Sequence, residues 1–93
     1  MRPGQSAINQ PLIKSRIRNL SIEDTEILLN VWRRVGNNSF RFVDVVDLMP
    51  SWGYPKRLNA RNAIEMVGNE HRYKVWKIRP EIINRLKMTY GDA

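Results

Sequence analysis

Cysteine is absent from the chain, and histidine occurs once, at His71. The first absence excludes a disulfide framework, a thiolate zinc site and a cysteine nucleophile. The second excludes multi-histidine metal sites. It leaves His71 as the only base available to a serine triad, and no G-x-S-x-G elbow accompanies it. There is no P-loop and no G-x-G-x-x-G, and the five glycines are scattered. No apolar run approaches the ~18–20 residues that would span a bilayer. Residues 1–10 lack the apolar core of a signal peptide. The expectation is an intracellular protein, cytoplasmic, nucleoid-associated or nuclear, that does not engage a membrane. It is expected not to be an enzyme and to need neither cofactor nor metal.

Basic residues dominate what is present. Sixteen Lys and Arg face nine Asp and Glu in 93 residues, for a net charge of +7. Apolar residues make up 42% and charged residues 27%, the balance of one small globular domain with one modest core. The charge is segregated. Residues 1–20 hold Arg2, Lys14, Arg16 and Arg18 and no acid; they read as a basic, partly flexible arm. Residues 21–55 are acidic on balance, and residues 56–79 hold seven bases against two acids. An arm and one block of concentrated positive charge form the kind of footprint that attracts nucleic acid.

The pattern of apolar residues predicts a mainly α chain with a small β element. Residues 11–20 suit a short helix, or an arm docked loosely. Ser21 is an N-cap, Glu23 and Asp24 favour a first helical turn, and Gly36 fits a helix end, so residues 21–35 read as a helix. Its expected apolar face is Ile22, Leu28, Leu29, Trp32 and Val35. Residues 39–42 alternate as a short strand. Residues 43–49 read as a short helix burying Val43, Val46, Leu48 and Met49, stopped by Pro50. After a turn over 50–55, residues 56–67 read as a basic helix with Ala60, Ala63, Ile64 and Val67 on one side, closed by Gly68. Residues 73–78 read as a strand carrying Trp76 inward, and Arg79 and Pro80 open a last helix with Ile82, Ile83, Leu86 and Tyr90 inward.

This order, α-β-α-α-β-α, resembles the winged helix-turn-helix family of DNA-binding domains over residues 21–90. The resemblance implies a supporting helix at 43–49, a recognition helix at 56–67 entering the major groove, and a returning wing strand at 73–78 before Arg79-Pro80-Glu81. Residues 50–55 make a longer turn than the usual three or four residues. Residues 68–72 are too short for an outgoing wing strand plus a tip, so a stunted wing, or a lone strand pairing with 40–42, is expected.

The chemistry of the basic helix suits that task. Arg57 and Arg61, four apart, project from one side. Arg reads guanine and Asn reads adenine in the major groove. Asn59 and Asn62 have poor helix propensity and make better sense as contacts. The competing reading is a solvated face in which Arg61 pairs with Glu65 at the surface. Lys56 is expected among the DNA contacts of the basic helix; Arg72 and Lys74, near the wing tip, are expected to meet phosphates, with Lys14, Arg16 and Arg18 of the arm adding backbone or minor-groove contacts. His71 reads as a surface residue near the tip. Trp32 and Trp76 read as core. Trp52 either plugs the helix-turn-helix junction or stacks on a base or partner.

The expected function is a small DNA-binding protein, a transcriptional regulator that binds double-stranded DNA and can form a homodimer. The alternative is a winged-helix subunit of a larger nucleic-acid-processing assembly, docking to a protein partner through Trp52 or the acidic first helix. A third reading is a basic coat for RNA or chromosomes without sequence preference.

Overall fold

A computed structural model of the chain describes residues 20–91. The arm residues Lys14, Arg16 and Arg18, and all of the helix expected over 11–20 except Leu20, lie outside the described residues. The described residues form three helices and a three-stranded antiparallel sheet, a small mixed α/β fold. Helix α1 spans Ile22–Val35, strand β1 Phe40–Arg41, helix α2 Tyr54–Ala60, strand β2 Ile64–Glu70, strand β3 Tyr73–Ile78 and helix α3 Pro80–Tyr90. None of the described helices is long and apolar enough to cross a membrane.

Local chemistry sets the ends of α1. The Ser21 hydroxyl accepts the Asp24 amide at 3.0 Å, and Gly36 takes a positive φ while its amide donates to the Trp32 carbonyl. Leu28, Leu29, Val31 and Trp32 are buried, as are Asp24 and Thr25. Ile22 does not join them. It is 48% exposed, because the inward stripe passes through Asp24 and Thr25 in the first turn.

The single helix expected over 43–49 is instead two 3₁₀ turns, Phe42–Asp44 and Val46–Leu48. The Asp44 carboxylate folds back onto the Arg41 amide at 2.9 Å and closes the first turn. Three valines in four positions are poor material for an α-helix. Val45 and Met49 are buried there, whereas Val43 and Val46 are exposed and Leu48 is half-buried.

The basic helix expected over 56–67 is corrected most. It starts at Tyr54 and ends at Ala60, because Asn62 adopts a φ of 62°. Asparagine tolerates this left-handed conformation better than most residues. The Leu58 carbonyl accepts the Arg61 and Ala63 amides at 3.1 and 3.0 Å, which completes the helix end. From Ile64 onward the chain is strand β2. The stripe expected to be buried is divided: Ala63 and Ile64 are buried, and Ala60 and Val67 are exposed.

Strand β3 lies between β1 and β2. It pairs Trp76 with Phe40 and Ile78 with Ile64. The expected pairing of 73–78 with 40–42 is present over Phe40–Arg41, but the strand is not alone and the hairpin is not stunted: β2 and β3 form a full hairpin with His71 and Arg72 at its turn. Met66 opposes Trp76 and Gly68 opposes Val75, so Val67 is the extra residue of a bulge. The core joins Leu28 and Val31 of α1, Leu58 of α2, Ile64 and Ile78 of the sheet and Leu86 of α3, each fully buried. Each such side chain contributes about 1.5–3 kcal/mol of transfer free energy. Trp32 and Trp76 are buried as expected.

Candidate nucleic-acid interface

The basic residues of 56–79 fall into two groups. The first surrounds Asp24. Its carboxylate, 1% exposed in the first turn of α1, accepts Arg57 Nε at 3.2 Å and Arg57 Nη2 at 3.0 Å. It also accepts the Tyr54 hydroxyl, and Arg61 Nε lies 4.0 Å away. The Arg57 guanidinium sits 5.7 Å from the centre of the Tyr54 ring. Arg57 and Arg61 thus converge on one side of α2, but on a buried acid of α1. The Arg61–Glu65 surface pair is absent from the ion pairs of the described residues; Arg61 reaches Asp24 instead. Both arginines keep nearly half of their side-chain surface exposed.

The second group lines a cleft of about 390 Å³ between the start of α2 and the hairpin. Lys56 comes from α2, Arg72 from the hairpin turn and Lys74 from the start of β3. Phe42, Trp52, Tyr73 and Trp76 supply its aromatic wall. Among the described residues no carboxylate pairs with Lys56, Arg72 or Lys74. Four of the acids are engaged elsewhere. Asp24 holds Arg57, Asp47 grips Arg34 through two bonds of 2.6 and 2.9 Å, and Asp44 and Glu70 face Arg41. The Arg34 bonds hold the Asp47 carboxyl below the usual carboxylate range. The Arg41 backbone amide and then its side chain do the same for Asp44.

Asn59 is exposed on α2, and Asn62 is exposed just beyond its end. The backbone gives Asn62 a structural reason to be there, since it stops the helix. His71 is exposed at the hairpin turn.

The side chain placed least well by sequence is Trp52. It does not plug the junction; it is 84% exposed. Tyr54 takes the interior position because its hydroxyl reaches Asp24. Trp52 and Gly53 are the central residues of a turn closed by the Tyr54 amide on the Ser51 carbonyl at 3.1 Å. The indole therefore projects from a fixed turn at the mouth of the cleft.

A scan of protein-family models, a search of curated proteins and a search of solved structures each return no match to this chain.

Proposed function

We propose that the protein is a winged-helix DNA-binding protein that acts by occupying double-stranded DNA, as a transcriptional regulator does. The observation that carries this reading is the convergence of Lys56, Arg72 and Lys74, without carboxylate partners among the described residues, from α2 and the adjoining hairpin. Unneutralised cations on one surface are the requirement for phosphate binding. The element order supports the winged-helix assignment. A helix exposing Lys56, Arg57 and Asn59 is followed directly by an antiparallel hairpin, and the sheet order is β1-β3-β2. In this reading α2 enters the major groove, Arg61 and Asn62 extend its reading end, and the hairpin turn meets the backbone. A two-turn helix spans few base pairs, so selective binding calls for a second copy on DNA.

A protein-docking role through Trp52 is the second reading, and the exposure of that indole favours it. The acidic first helix supports it less, because Asp24 is buried and bonded to Arg57.

Fluorescence anisotropy of the full chain with random-sequence duplex DNA at low salt tests the proposal. Binding that weakens steeply with added salt is expected. No binding at low salt would overturn it and leave the docking module.

A further inference from the structure

We infer that the cleft between α2 and the hairpin holds one unpaired DNA nucleotide, its base stacked on Trp52 and its phosphate held among Lys56, Arg72 and Lys74. The inference rests on the DNA-binding reading and narrows it to duplex that carries an unpaired nucleotide, such as an overhang or a fork.

Three observations carry it. Trp52 offers a large, nearly fully exposed aromatic side chain, and Tyr73, half-exposed, lines the same cleft. The cations around that face come from two separate elements and lack acidic partners among the described residues. Aromatic faces combined with unneutralised cations form the platform that binds single-stranded nucleic acid, because every base has a face to stack and every nucleotide a phosphate. A base inside a duplex has both faces covered by its neighbours, so an indole needs an unpaired one. The third observation is rigidity. The Trp52 turn is closed by the Tyr54 amide, and Tyr54 is anchored on Asp24, so the backbone that carries the indole needs little ordering on binding. The cleft volume of about 390 Å³ lies within the ~300–1,000 Å³ range of small-molecule sites. A second cleft of about 320 Å³ between β3 and α3 has Lys77 and Lys87 but no aromatic lining residue, so it lacks the stacking half of the platform.

The test compares a blunt duplex with the same duplex bearing a short oligothymidine overhang, by anisotropy with the full chain at one salt concentration. Tryptophan emission is read in parallel. Trp32 is buried away from the cleft lining and Trp76 lines the cleft with Trp52, so quenching is assigned to Trp52 by its loss in Trp52→Ala. The overhang is expected to bind about 5- to 150-fold more tightly and to quench the emission. Trp52→Ala should abolish the preference for the overhang over the blunt duplex with the melting temperature unchanged, and Trp52→Phe should retain part of the preference. Equal affinity for the two DNAs, or a preference that survives Trp52→Ala, overturns the inference and leaves duplex binding standing. Failure to bind either DNA overturns both. Emission that responds to an acidic, aromatic-containing peptide but not to the overhang also overturns it, and assigns the cleft to a protein partner.

Discussion

The Tyr54 hydroxyl donates to the carboxylate of Asp24, joining the first residue of α2 to the first turn of α1 across thirty positions of sequence. This bond orders several other features. It turns Tyr54 inward and leaves Trp52 outward. It also draws Arg57 onto the same carboxylate, so that a residue on the candidate reading surface serves the fold as well.

Replacing Asp24 should therefore be costly. Removing one partner of a buried charge pair costs about 3–5 kcal/mol. Arg57 is half-exposed and can rehydrate, so Asp24→Ala is expected below that range, at about 2–3 kcal/mol. Tyr54→Phe removes one hydrogen bond to a charged group and should cost about 1.5–3 kcal/mol. Urea denaturation monitored by circular dichroism measures both. A loss under about 0.5 kcal/mol for Asp24→Ala, the level of an ordinary surface change, would show that the network does not hold the helices together.

The two groups of cations should respond differently to mutation. Arg61→Ala is expected to lose about 1–3 kcal/mol at a preferred DNA site and relax one base position. Lys74→Ala should weaken all sequences alike, because a phosphate contact carries no base information. Arg57→Ala should lower DNA affinity and stability together, whereas the other two should leave stability within about 0.5 kcal/mol. With ~5 phosphates neutralised, log affinity should fall with log salt at a slope of about −4 to −5. Anisotropy titrations over a salt series, paired with melting curves, separate these outcomes. Unaltered DNA binding by both Arg61→Ala and Lys74→Ala would sink the proposed surface.

Parts of this arrangement were legible in the sequence for identifiable reasons. The cap at Ser21, the glycine at Gly36 and the β-rich run Tyr73–Ile78 are local signals, and each names its element. Residues 56–67 misled because Ala60, Ala63, Ile64 and Val67 have helical spacing, while the bulge at Val67 breaks the alternation that marks a strand. Asn62 was the available stop signal; its residue type suits a left-handed helix end as well as it suits an adenine contact. The exposure of Trp52 was not legible. It follows from the partnership of Tyr54 with an acid thirty residues away, and a local pattern carries no such information.

Acid should weaken the fold through the 3₁₀ segment. Asp47 and Asp44 are held below the usual carboxylate range by Arg34 and Arg41. A carboxyl with a depressed folded pKa makes the unfolded chain the better proton binder in acid. Its stabilisation is complete above the ordinary carboxylate pKa of ~4 and is lost as pH falls through the lower folded value. Melting temperature should therefore decline below pH ~4, and Asp47→Asn should make the decline shallower. Both pairs are exposed, so added salt should shrink the effect. An acid limb identical in Asp47→Asn would remove Arg34–Asp47 from the explanation.

The hairpin turn sets stability against binding. His71 and Arg72 have φ values of 50° and 76°. Positive φ at both central residues is the signature of the type I′ turn, for which Asn-Gly is the favoured pair. Histidine visits this region more readily than most residues, so the larger conformational penalty falls on Arg72. A left-handed non-glycine residue costs of order 1–3 kcal/mol, and glycine returns part of that through its greater freedom in the unfolded chain. Arg72→Gly is therefore expected to raise stability by about 0.5–1 kcal/mol. The same change removes one of the three cations around the cleft, so DNA affinity should fall and the salt slope should become shallower by about 1. Lys74→Ala, with no strained backbone to relax, should weaken binding without the stability gain. Urea denaturation and anisotropy on the same two variants decide the matter. An Arg72→Gly protein that is both more stable and equally tight on DNA would leave the strain without a functional reason, and one that is less stable would mean that Arg72 holds the hairpin through contacts its side chain makes.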